Sequence, residues 1–569
     1  MSERKKFYQE LISLEDLAAL EEQLRNLVER EITSVEDLEK YLLEESKLME
    51  AIGEVLNGDY ILFNCYSNDE AIAQRHQFNQ TKVIPLLKKY EALLDRKFWD
   101  SPYREELEKR KYEILLQSKA VAVELFREEN IELMVQETAL SDEYAVTIGN
   151  TTIIWEGQEK TLPEMTMFLK DPDRQVRKAA WEKTTARRSQ DWEKLDGIMD
   201  QLVQLRHRMA VNAGLADYRE YMFRVYERFS YTPEDCLRFH EAVKKCVVPL
   251  KDEVEKRHQE KLGLTEYRPW DIQGTPQGQK PLIPFTEVEE LVEGTKEILH
   301  RLDPLFAEVL KDLQENHTLD LVPRVGKAPG GFCCDLPISN RSFIFMNCTG
   351  THQDLITLVH ECGHAIHNKL AAHHPLARYK HAPMEAAEFA SMSMEFLTME
   401  HWGRFYKEQD LIRAQIDQLE DVIKFLPWAV TVDRFQHWLY LHPEHTAQER
   451  NEKFREIASQ FSHHYTDWSG LERELSHAWK AQSHIFGNPF YYIEYAIAQL
   501  GALQLWRQYK EDPRRAIENY KRALSLGGSR PLLEIYQAAE IQFAFSEPVL
   551  AELMDFVSTE LSNLRKLQG

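Results

Sequence analysis

Cysteine is scarce in this chain of 569 residues, and the few that occur do not form Cys-x-x-Cys pairs. A disulfide framework usually has an even number of cysteines, and a cysteine zinc site has closely spaced pairs. The chain has seven, so we expect reduced thiols, as in a cytoplasmic protein, and neither of those arrangements. The seven are Cys65, Cys236, Cys246, Cys333, Cys334, Cys348 and Cys362.

Long hydrophobic runs are also missing. No window holds the roughly 18 consecutive apolar residues that a membrane span needs. The first ten residues carry some positive charge but lack the apolar stretch of a secretory signal. We therefore expect no membrane partner and no secretory leader.

Positive charge is outweighed by negative charge. Asp and Glu number 94 against 70 Lys and Arg, which gives a formal net charge of −24. Such a surface repels phosphate backbones and anionic lipid, so nucleic acid is a poor candidate partner. Hydrophobic residues make up 43% and aromatic residues 11%, which is enough for a large core and excludes global disorder.

Helical periodicity dominates what is present. Apolar residues recur every three to four positions, most clearly over residues 11–28 and 38–56. Two β-rich runs between Tyr144 and Trp155 flank Gly149-Asn150 and predict a β-hairpin. Another β-rich patch covers residues 342–347, and the Gly- and Pro-containing stretch 273–284 predicts a loop.

One stretch resembles half of a tetratricopeptide repeat. It covers residues 515–524, and no copy of it occurs at a period of about 34 residues. Because a solenoid needs several stacked units, we interpret the stretch as one ordinary helix, ended by Gly527-Gly528.

A metal-binding motif lies in the middle of the chain. His360 and His364 are separated by one helical turn, so both imidazoles can face one Zn²⁺. Glu361, one step round the helix, can take a proton from the attacking water. Chance produces such a match in about one of ten chains of this composition, so its context matters. Thr351-x-x-Asp354 fits a capping box that would begin a helix ahead of the motif.

A catalytic zinc needs a third protein ligand and an open position. The next helix, which can begin at Pro383, offers Glu385, Glu388 and Glu395. Glu388 and Glu395 lie two turns apart on one face, so one can bind metal while the other hydrogen-bonds a ligand imidazole. Spacing alone does not choose among the three, although a solvated carboxylate fits Glu385 best.

Two other residues of the motif helix have ligand chemistry. His367 lies three positions after His364, and we expect it to pack or hydrogen-bond nearby. Cys362 points away from the face that holds both histidines, so we expect it in the core.

Taken together, these motifs look familiar. His360-Glu-x-Gly-His-x-x-His367, followed by Glu388-Phe-Ala-Ser-Met-x-x-Glu395, resembles the thimet oligopeptidase family of zinc metallopeptidases, particularly its oligoendopeptidase F branch. Residues 479–496 are similar to its His, Pro-Phe-Tyr and closing Tyr block, and residues 524–529 to its Gly-Gly-Ser segment. The resemblance covers roughly residues 150–540. The short chain is also similar to the compact members of that branch, the Pz-peptidases, which cut collagen-derived peptides.

The resemblance assigns roles residue by residue. It implies that Glu388 is the third ligand of one Zn²⁺ per chain, with Glu395 beside a ligand histidine in the second shell. Geometry and ligand type would also accept cobalt or manganese.

Four downstream residues receive roles in the same way. Tyr495 and His484 match the family's phenol and imidazole donors to the negative charge that develops on the peptide oxygen. Tyr491 and Tyr492 match substrate-contacting tyrosines. The alternative is that this aromatic block is only core.

The sequence departs from the family's pattern in two places. The loop at residues 330–334 is richer in cysteine than in relatives, and the turn after His484 differs from the tyrosine-containing form. Both departures bear on substrate preference, and neither touches a zinc ligand.

The resemblance implies a mainly α fold, a zincin-type helical metallopeptidase with a small β-sheet beside a deep central channel. An N-terminal helical region, residues 1–200, would close over a catalytic domain, residues 201–569. The implied activity is that of a zinc oligoendopeptidase acting on short, unfolded peptides. Two alternatives stay open. One is a related zinc exopeptidase, either a carboxypeptidase or a dipeptidyl-releasing enzyme, and the other is a non-enzymatic helical binding protein.

Overall fold

The computed structural model describes residues 7–568, and most of these residues lie in α-helices. The N-terminal helices are α1 (Leu17–Glu29), α2 (Val35–Cys65), α3 (Glu70–Phe78), α4 (Ile84–Trp99), α5 (Lys109–Leu125) and α6 (Glu128–Gly149). The helix predicted from residue 11 begins only at Leu17, because the Asp16 side chain caps it by accepting the backbone N–H of Ala19. The mainly α prediction is confirmed.

The hairpin predicted around Gly149-Asn150 is wrong. Residues 144–148 form the last turns of α6, where the Tyr144 ring stacks on Phe486 with 3.9 Å between the ring centroids. That burial overrides the β propensity of the neighbouring residues. A hairpin does follow, between β1 (Thr152–Trp155) and β2 (Gln158–Thr161). Its turn is Glu156-Gly157, and both residues have positive φ, as a tight hairpin turn requires.

The middle of the chain continues with helices. They are α7 (Leu162–Leu169), α8 (Arg174–Arg188), α9 (Trp192–Asn212), α10 (Tyr218–Val225), α11 (Pro233–Cys246), α12 (Val248–Lys261), α13 (Val288–Leu302) and α14 (Pro304–Glu315). Between α12 and α13 lies only one short 3₁₀ turn, so the loop predicted at residues 273–284 is confirmed. The division into two regions at residue 200 stays a prediction.

A small sheet lies directly ahead of the metal motif. Its strands are β3 (Leu319–Asp320), β4 (Phe332–Leu336) and β5 (Arg341–Phe345), in the order β3-β5-β4. The central strand β5 runs parallel to β3 and antiparallel to β4, with Cys333 opposite Ile344. This confirms the strand predicted at residues 342–347, although it ends at Phe345.

The remaining helices build the site and its support. They are α15 (His352–Ala371), α16 (Ala377–Lys380), α17 (Met384–Met399), α18 (Glu408–Leu441), α19 (Ala447–Gln460), α20 (Glu472–Ser476), α21 (Ser483–Gly487), α22 (Ile493–Glu511), α23 (Pro513–Leu524), α24 (Leu532–Ala538) and α25 (Glu547–Gln568). The predicted capping box of Thr351 and Asp354 begins α15. The repeat-like stretch lies in α23 and is a single helix, as predicted. Within residues 7–568, none of the helices combines the length and apolar content that crossing a bilayer requires.

Helices α15 and α17 approach each other closely at Gly363. A Cβ atom at Gly363 would lie 2.5 Å from the Cα of Ser391 and 2.7 Å from the carbonyl oxygen of Ala390. Both distances are shorter than van der Waals contact, and the opposing atoms belong to the backbone of α17. The absent side chain therefore sets the distance between the two helices.

Gly363→Ala is expected to lower the free energy of unfolding by about 1–3 kcal/mol, because the added methyl group forces the helices apart. Denaturant unfolding followed by circular dichroism measures the change. Gly197→Ala in α9 is the matched control. No atom lies within 4 Å of its added Cβ, so it should raise stability by about 0.5–1 kcal/mol. Equal effects of the two variants would contradict the close-packing argument.

Candidate metal centre and active site

Three predicted ligands converge between α15 and α17. His360 Nε2 and His364 Nε2 lie 3.5 Å and 3.8 Å from the same oxygen of Glu388. One ligand atom from each of the three residues falls within 4.8 Å of the others. Ligands bonded to one tetrahedral Zn²⁺ at about 2.0–2.1 Å lie about 3.3 Å apart, so the set fits this ion with small adjustments. Two histidines and one glutamate are also a common donor set for catalytic zinc.

Glu395 holds the first histidine rather than adding a fourth ligand. Its Oε1 lies 2.8 Å from His360 Nδ1, which leaves Nε2 free to bind a metal. Gln418 of α18 donates a hydrogen bond of 2.9 Å to the other oxygen of Glu395. An outer carboxylate of this kind fixes the orientation of the ring and raises the basicity of the ligand nitrogen.

Glu388 is held from two sides. The hydroxyl of Tyr491 donates a 2.6 Å hydrogen bond to Oε1, and Ser391 Oγ lies 3.1 Å from Oε2. Burial opposes the charged form, but the hydrogen bond with His360 and the charge of His364 outweigh it and lower the pKa of Glu388 to about 2. The structure thus places Tyr491 on a candidate metal ligand, whereas the resemblance implied a substrate contact.

Glu361 lies beside the ligand histidines and is only 6% exposed. Burial raises the pKa of its carboxyl to about 7, against the opposing effect of His360. The backbone N–H of Cys333 in β4 stabilises the charged form, which places the Glu361 carboxyl next to the sheet. The candidate base therefore lies between the candidate ligands and strand β4.

His484, Tyr491, Tyr492 and Tyr495 form one aromatic group. The His484 ring centroid lies 5.0 Å from that of Tyr492 and 6.0 Å from that of Tyr495, both edge to face. Burial raises the pKa of the Tyr495 phenol, and the negative charge of Glu388 raises it further. Tyr495 therefore stays protonated and lies near the candidate ligands, where its hydroxyl can donate a hydrogen bond.

A strained turn positions Tyr491 of this group against the candidate ligand Glu388. Phe490 has φ 63°, which is unusual for a residue with a side chain and which the surroundings must hold. Its backbone N–H donates a 2.8 Å hydrogen bond to Gln436, and its carbonyl accepts one from Arg228. Arg228 is buried and also pairs with Glu494 in the first turn of α22. These contacts fix the position from which Tyr491 reaches Glu388.

The interpretation of Glu385 as a solvated carboxylate is wrong. Glu385 is only 3% exposed, and its Oε1 accepts a 2.7 Å hydrogen bond from the Tyr231 hydroxyl. Burial raises the pKa of the neighbouring Glu494, and the charge of Glu385 and a hydrogen bond with it raise that pKa further. The partners come from segments about 150 residue positions before and about 110 after Glu385. A helical pattern within one segment cannot reveal them.

A second buried group also has ligand chemistry. Cys236 and His240 lie one turn apart on α11 and face Asp433 and His437 on α18. However, Asp433 Oδ2 lies 2.8 Å from His240 Nε2 and 3.1 Å from His437 Nε2. These distances are shorter than the separation of about 3.3 Å between ligands of one tetrahedral zinc ion. The carboxylate therefore pairs directly with the imidazoles and joins α11 to α18.

The remaining expectations for α15 agree with the structure. Cys362 is buried in the core, and His367 is buried but does not belong to the group formed by His360, His364 and Glu388. Sequence reasoning missed Gln418, Ser391 and Arg228. Only Ser391 carried a signal, since it lies one turn after Glu388 on α17.

Comparisons with known proteins agree with this geometry. The model of peptidase family M3 matches residues 167–555, and the model of the peptidase M3 N-terminal domain matches residues 7–126. The chain is 23% identical to oligopeptidase PepF of Bacillus subtilis (strain 168) over 277 residues, which are 48% of this chain and 41% of that protein. It is 25% identical to an oligoendopeptidase F homolog of Borreliella burgdorferi over 44% of this chain and 43% of that protein. The chain thus spans less than half the length of these two relatives.

Solved structures match over nearly the whole chain. The structure of Pz peptidase A with inhibitor 2 has a TM-score of 0.90 and 29% identity, covering 98% of both chains. A putative oligoendopeptidase F from Bacillus anthracis str. Ames has a TM-score of 0.87 and 26% identity, covering 99% of this chain and 98% of that one.

Glu395→Gln is expected to weaken Zn²⁺ binding about 10-fold or more, because a neutral amide orients and polarises His360 less well than a carboxylate. Competition with a chromophoric chelator measures the affinity. Glu400→Gln, just beyond the end of α17, is the control and should leave zinc affinity unchanged, since its carboxylate contacts Trp506 rather than a ligand. Wild-type affinity in Glu395→Gln would remove this carboxylate from the support of the metal site.

Proposed function

Because the chain belongs to peptidase family M3, we propose that it is a zinc-dependent oligoendopeptidase that hydrolyses internal bonds of short, unfolded peptides. The observation that carries the proposal is the meeting of His360, His364 and Glu388 with Glu361 beside them. The side-chain set suits one Zn²⁺ per chain. All seven cysteines are free, which supports a reducing, cytoplasmic setting.

A bound Zn²⁺ would supply Lewis-acid polarisation and lower the pKa of water at this site. His360, His364 and Glu388 would hold the ion, and Glu395 and Tyr491 would keep two of those ligands in place. The chain's own contribution is thus a rigid ligand set, since each outer contact limits the rotamers of a ligand.

Glu361 would move the protons of the reaction. Its carboxylate would take a proton from the attacking water and then give it to the nitrogen of the departing amine. Glu361 is buried on α15 and receives a backbone hydrogen bond from Cys333 of β4, which limits the positions that its carboxyl can take.

Tyr495 and His484 would stabilise the negative charge that develops on the peptide carbonyl oxygen. A hydroxyl or imidazole N–H that points at this oxygen stabilises the transition state more than the ground state. Tyr492 packs edge to face with both residues and would line the substrate side of the same group. A channel that encloses these residues would admit flexible peptides and exclude folded proteins.

The test uses an internally quenched peptide that is blocked at both ends. The wild-type chain with one equivalent of Zn²⁺ should cleave it internally, whereas an exopeptidase would need a free end. Glu361→Gln should keep zinc and fold but lose nearly all hydrolysis, because the general base is gone and the ligands remain. Activity above about a tenth of the wild-type value in this variant would remove Glu361 from the role.

The outcomes separate the alternatives. Cleavage only of unblocked peptides would favour the carboxypeptidase or dipeptidyl-releasing alternative. A purified chain that holds no stoichiometric zinc and cleaves neither peptide would favour a helical binding protein.

Tyr495→Phe deletes one hydroxyl and keeps the ring. If that hydroxyl donates to the developing oxyanion, kcat should fall about 10²-fold or more while KM changes little. Zinc content should stay at the wild-type level because no ligand is touched. A near-normal kcat with a stability loss of about 1 kcal/mol would instead make Tyr495 a core residue. Steady-state kinetics and thermal unfolding decide between the two.

A further inference from the structure

The two ring nitrogens of His484 have different surroundings. Nδ1 lies 2.7 Å from Nε2 of the Gln482 side chain, half a turn earlier in the chain. Among the described residues, none forms a hydrogen bond with His484 Nε2. This nitrogen is also not fully buried, so a ligand can reach it. One nitrogen is therefore fixed by the protein and the other is left for a ligand.

Which atom of Gln482 faces His484 follows from a third residue. The indole Nε1 of Trp428, in α18, lies 3.3 Å from Gln482 Oε1. An indole N–H can only donate, so the amide must present its oxygen to Trp428 and its NH₂ group to His484. The amide then donates to His484 Nδ1, which must be the unprotonated nitrogen, and the neutral ring carries its proton on Nε2.

We propose that Gln482, oriented by Trp428, is a positioning residue that fixes His484 as a neutral hydrogen-bond donor through Nε2 toward the substrate. This rests on the proposed function. With the opposite tautomer, Nε2 would present a lone pair to the developing oxyanion, so the ring would repel the charge that it is meant to stabilise.

The other histidine of the site shows the reverse arrangement. His360 Nδ1 faces the Glu395 carboxylate, which can only accept from it, so Nε2 keeps a lone pair for a metal. His484 Nδ1 faces an amide donor, so Nε2 keeps a proton. The partner of Nδ1 thus decides the role of Nε2, which can bind a metal in His360 and donates a hydrogen bond in His484.

Backbone hydrogen bonds fix the position from which the Gln482 side chain contacts His484. The Gln482 N–H donates to the carbonyl of Trp479, and the Gln482 carbonyl accepts from Ile485. The side chain therefore starts from a fixed point between the 3₁₀ turn Ala478–Ala481 and α21, and its amide lies between Trp428 and His484.

Gln482→Met keeps the length of the side chain and removes its donor. In the wild-type background kcat on the blocked peptide should fall about 10-fold with KM nearly unchanged, since only the transition-state donor is disturbed. In the His484→Leu background the same change should have no further effect on kcat, because the residue through which it acts is absent. An equal fall in both backgrounds would overturn the proposal and make Gln482 a packing residue.

Trp428→Phe removes an indole N–H that also meets the Tyr492 hydroxyl, so it is compared with Tyr492→Phe. Trp428→Phe also leaves the Gln482 amide free to turn over. It should lower kcat several-fold, whereas Trp438→Phe, ten residues later in α18, should not. Unchanged kcat in Trp428→Phe would show that the indole does not set the amide orientation, which contradicts the proposal.

A readout without catalysis separates this proposal from the function on which it rests. Nitrogen-15 NMR of histidine-labelled protein reports which ring nitrogen carries the proton, and the His484 signals are assigned by their loss in His484→Leu. The expected result is a proton on Nε2 in the wild type and mixed tautomers in Gln482→Met. A proton on Nδ1 in the wild type overturns the proposal even if the chain is an active peptidase. A chain that cleaves no peptide but shows the Nε2 proton overturns the proposed function alone.

Discussion

The contact between α15 and α17 at Gly363 is the constraint on which the site depends. A Cβ atom added to Gly363 would lie 2.5 Å from the Cα of Ser391. Gly363 directly precedes His364, and Ser391 follows Glu388 by three residues, so the contact lies beside both candidate ligands. At this separation one oxygen of Glu388 lies 3.5 Å and 3.8 Å from the two imidazoles. A wider spacing would separate the histidine pair on α15 from the buried carboxylate on α17, and that carboxylate would lose the imidazoles that offset its burial.

A second set of contacts, long in sequence, fixes α22 against this pair of helices. Arg228 lies more than 250 residues before the turn that it holds, and Gln436 lies on α18. Together they stabilise a backbone conformation at Phe490 that a residue with a side chain rarely adopts. The strain is useful because it aims Tyr491 at Glu388 from outside the helix pair. The ligand carboxylate is therefore held by residues that never touch a metal.

The sequence predicted those parts of the site that depend on contacts between residues close in the chain, and it missed those that depend on contacts between distant segments. His360, Glu361 and His364 lie within two helical turns, and a capping box marks the start of their helix, so local spacing was sufficient to predict that the two imidazoles lie together. The third ligand stayed open among three glutamates, and only the family resemblance favoured Glu388. The error at Glu385 and the missed Arg228 have one cause, because their partners come from distant segments. The hairpin prediction failed in the same way, since the contact of Tyr144 with Phe486 decides a local conformation.

The buried group on α11 and α18 shows why spacing alone is a weak guide to metal binding. It too brings a carboxylate and two imidazoles together on neighbouring helices, yet Asp433 Oδ2 lies only 2.8 Å and 3.1 Å from the two imidazoles. At the candidate metal centre the carboxylate that pairs with His360 is a different one, Glu395, and it meets the nitrogen that faces away from Glu388. Glu388 Oε2 therefore lies 3.5 Å and 3.8 Å from the Nε2 atoms of His360 and His364, farther than Asp433 lies from its two histidines. Because Glu395 pairs with the outer nitrogen of His360, the nitrogen that faces Glu388 is left to bind a metal ion, and no such outer carboxylate serves the α11 and α18 group among the described residues.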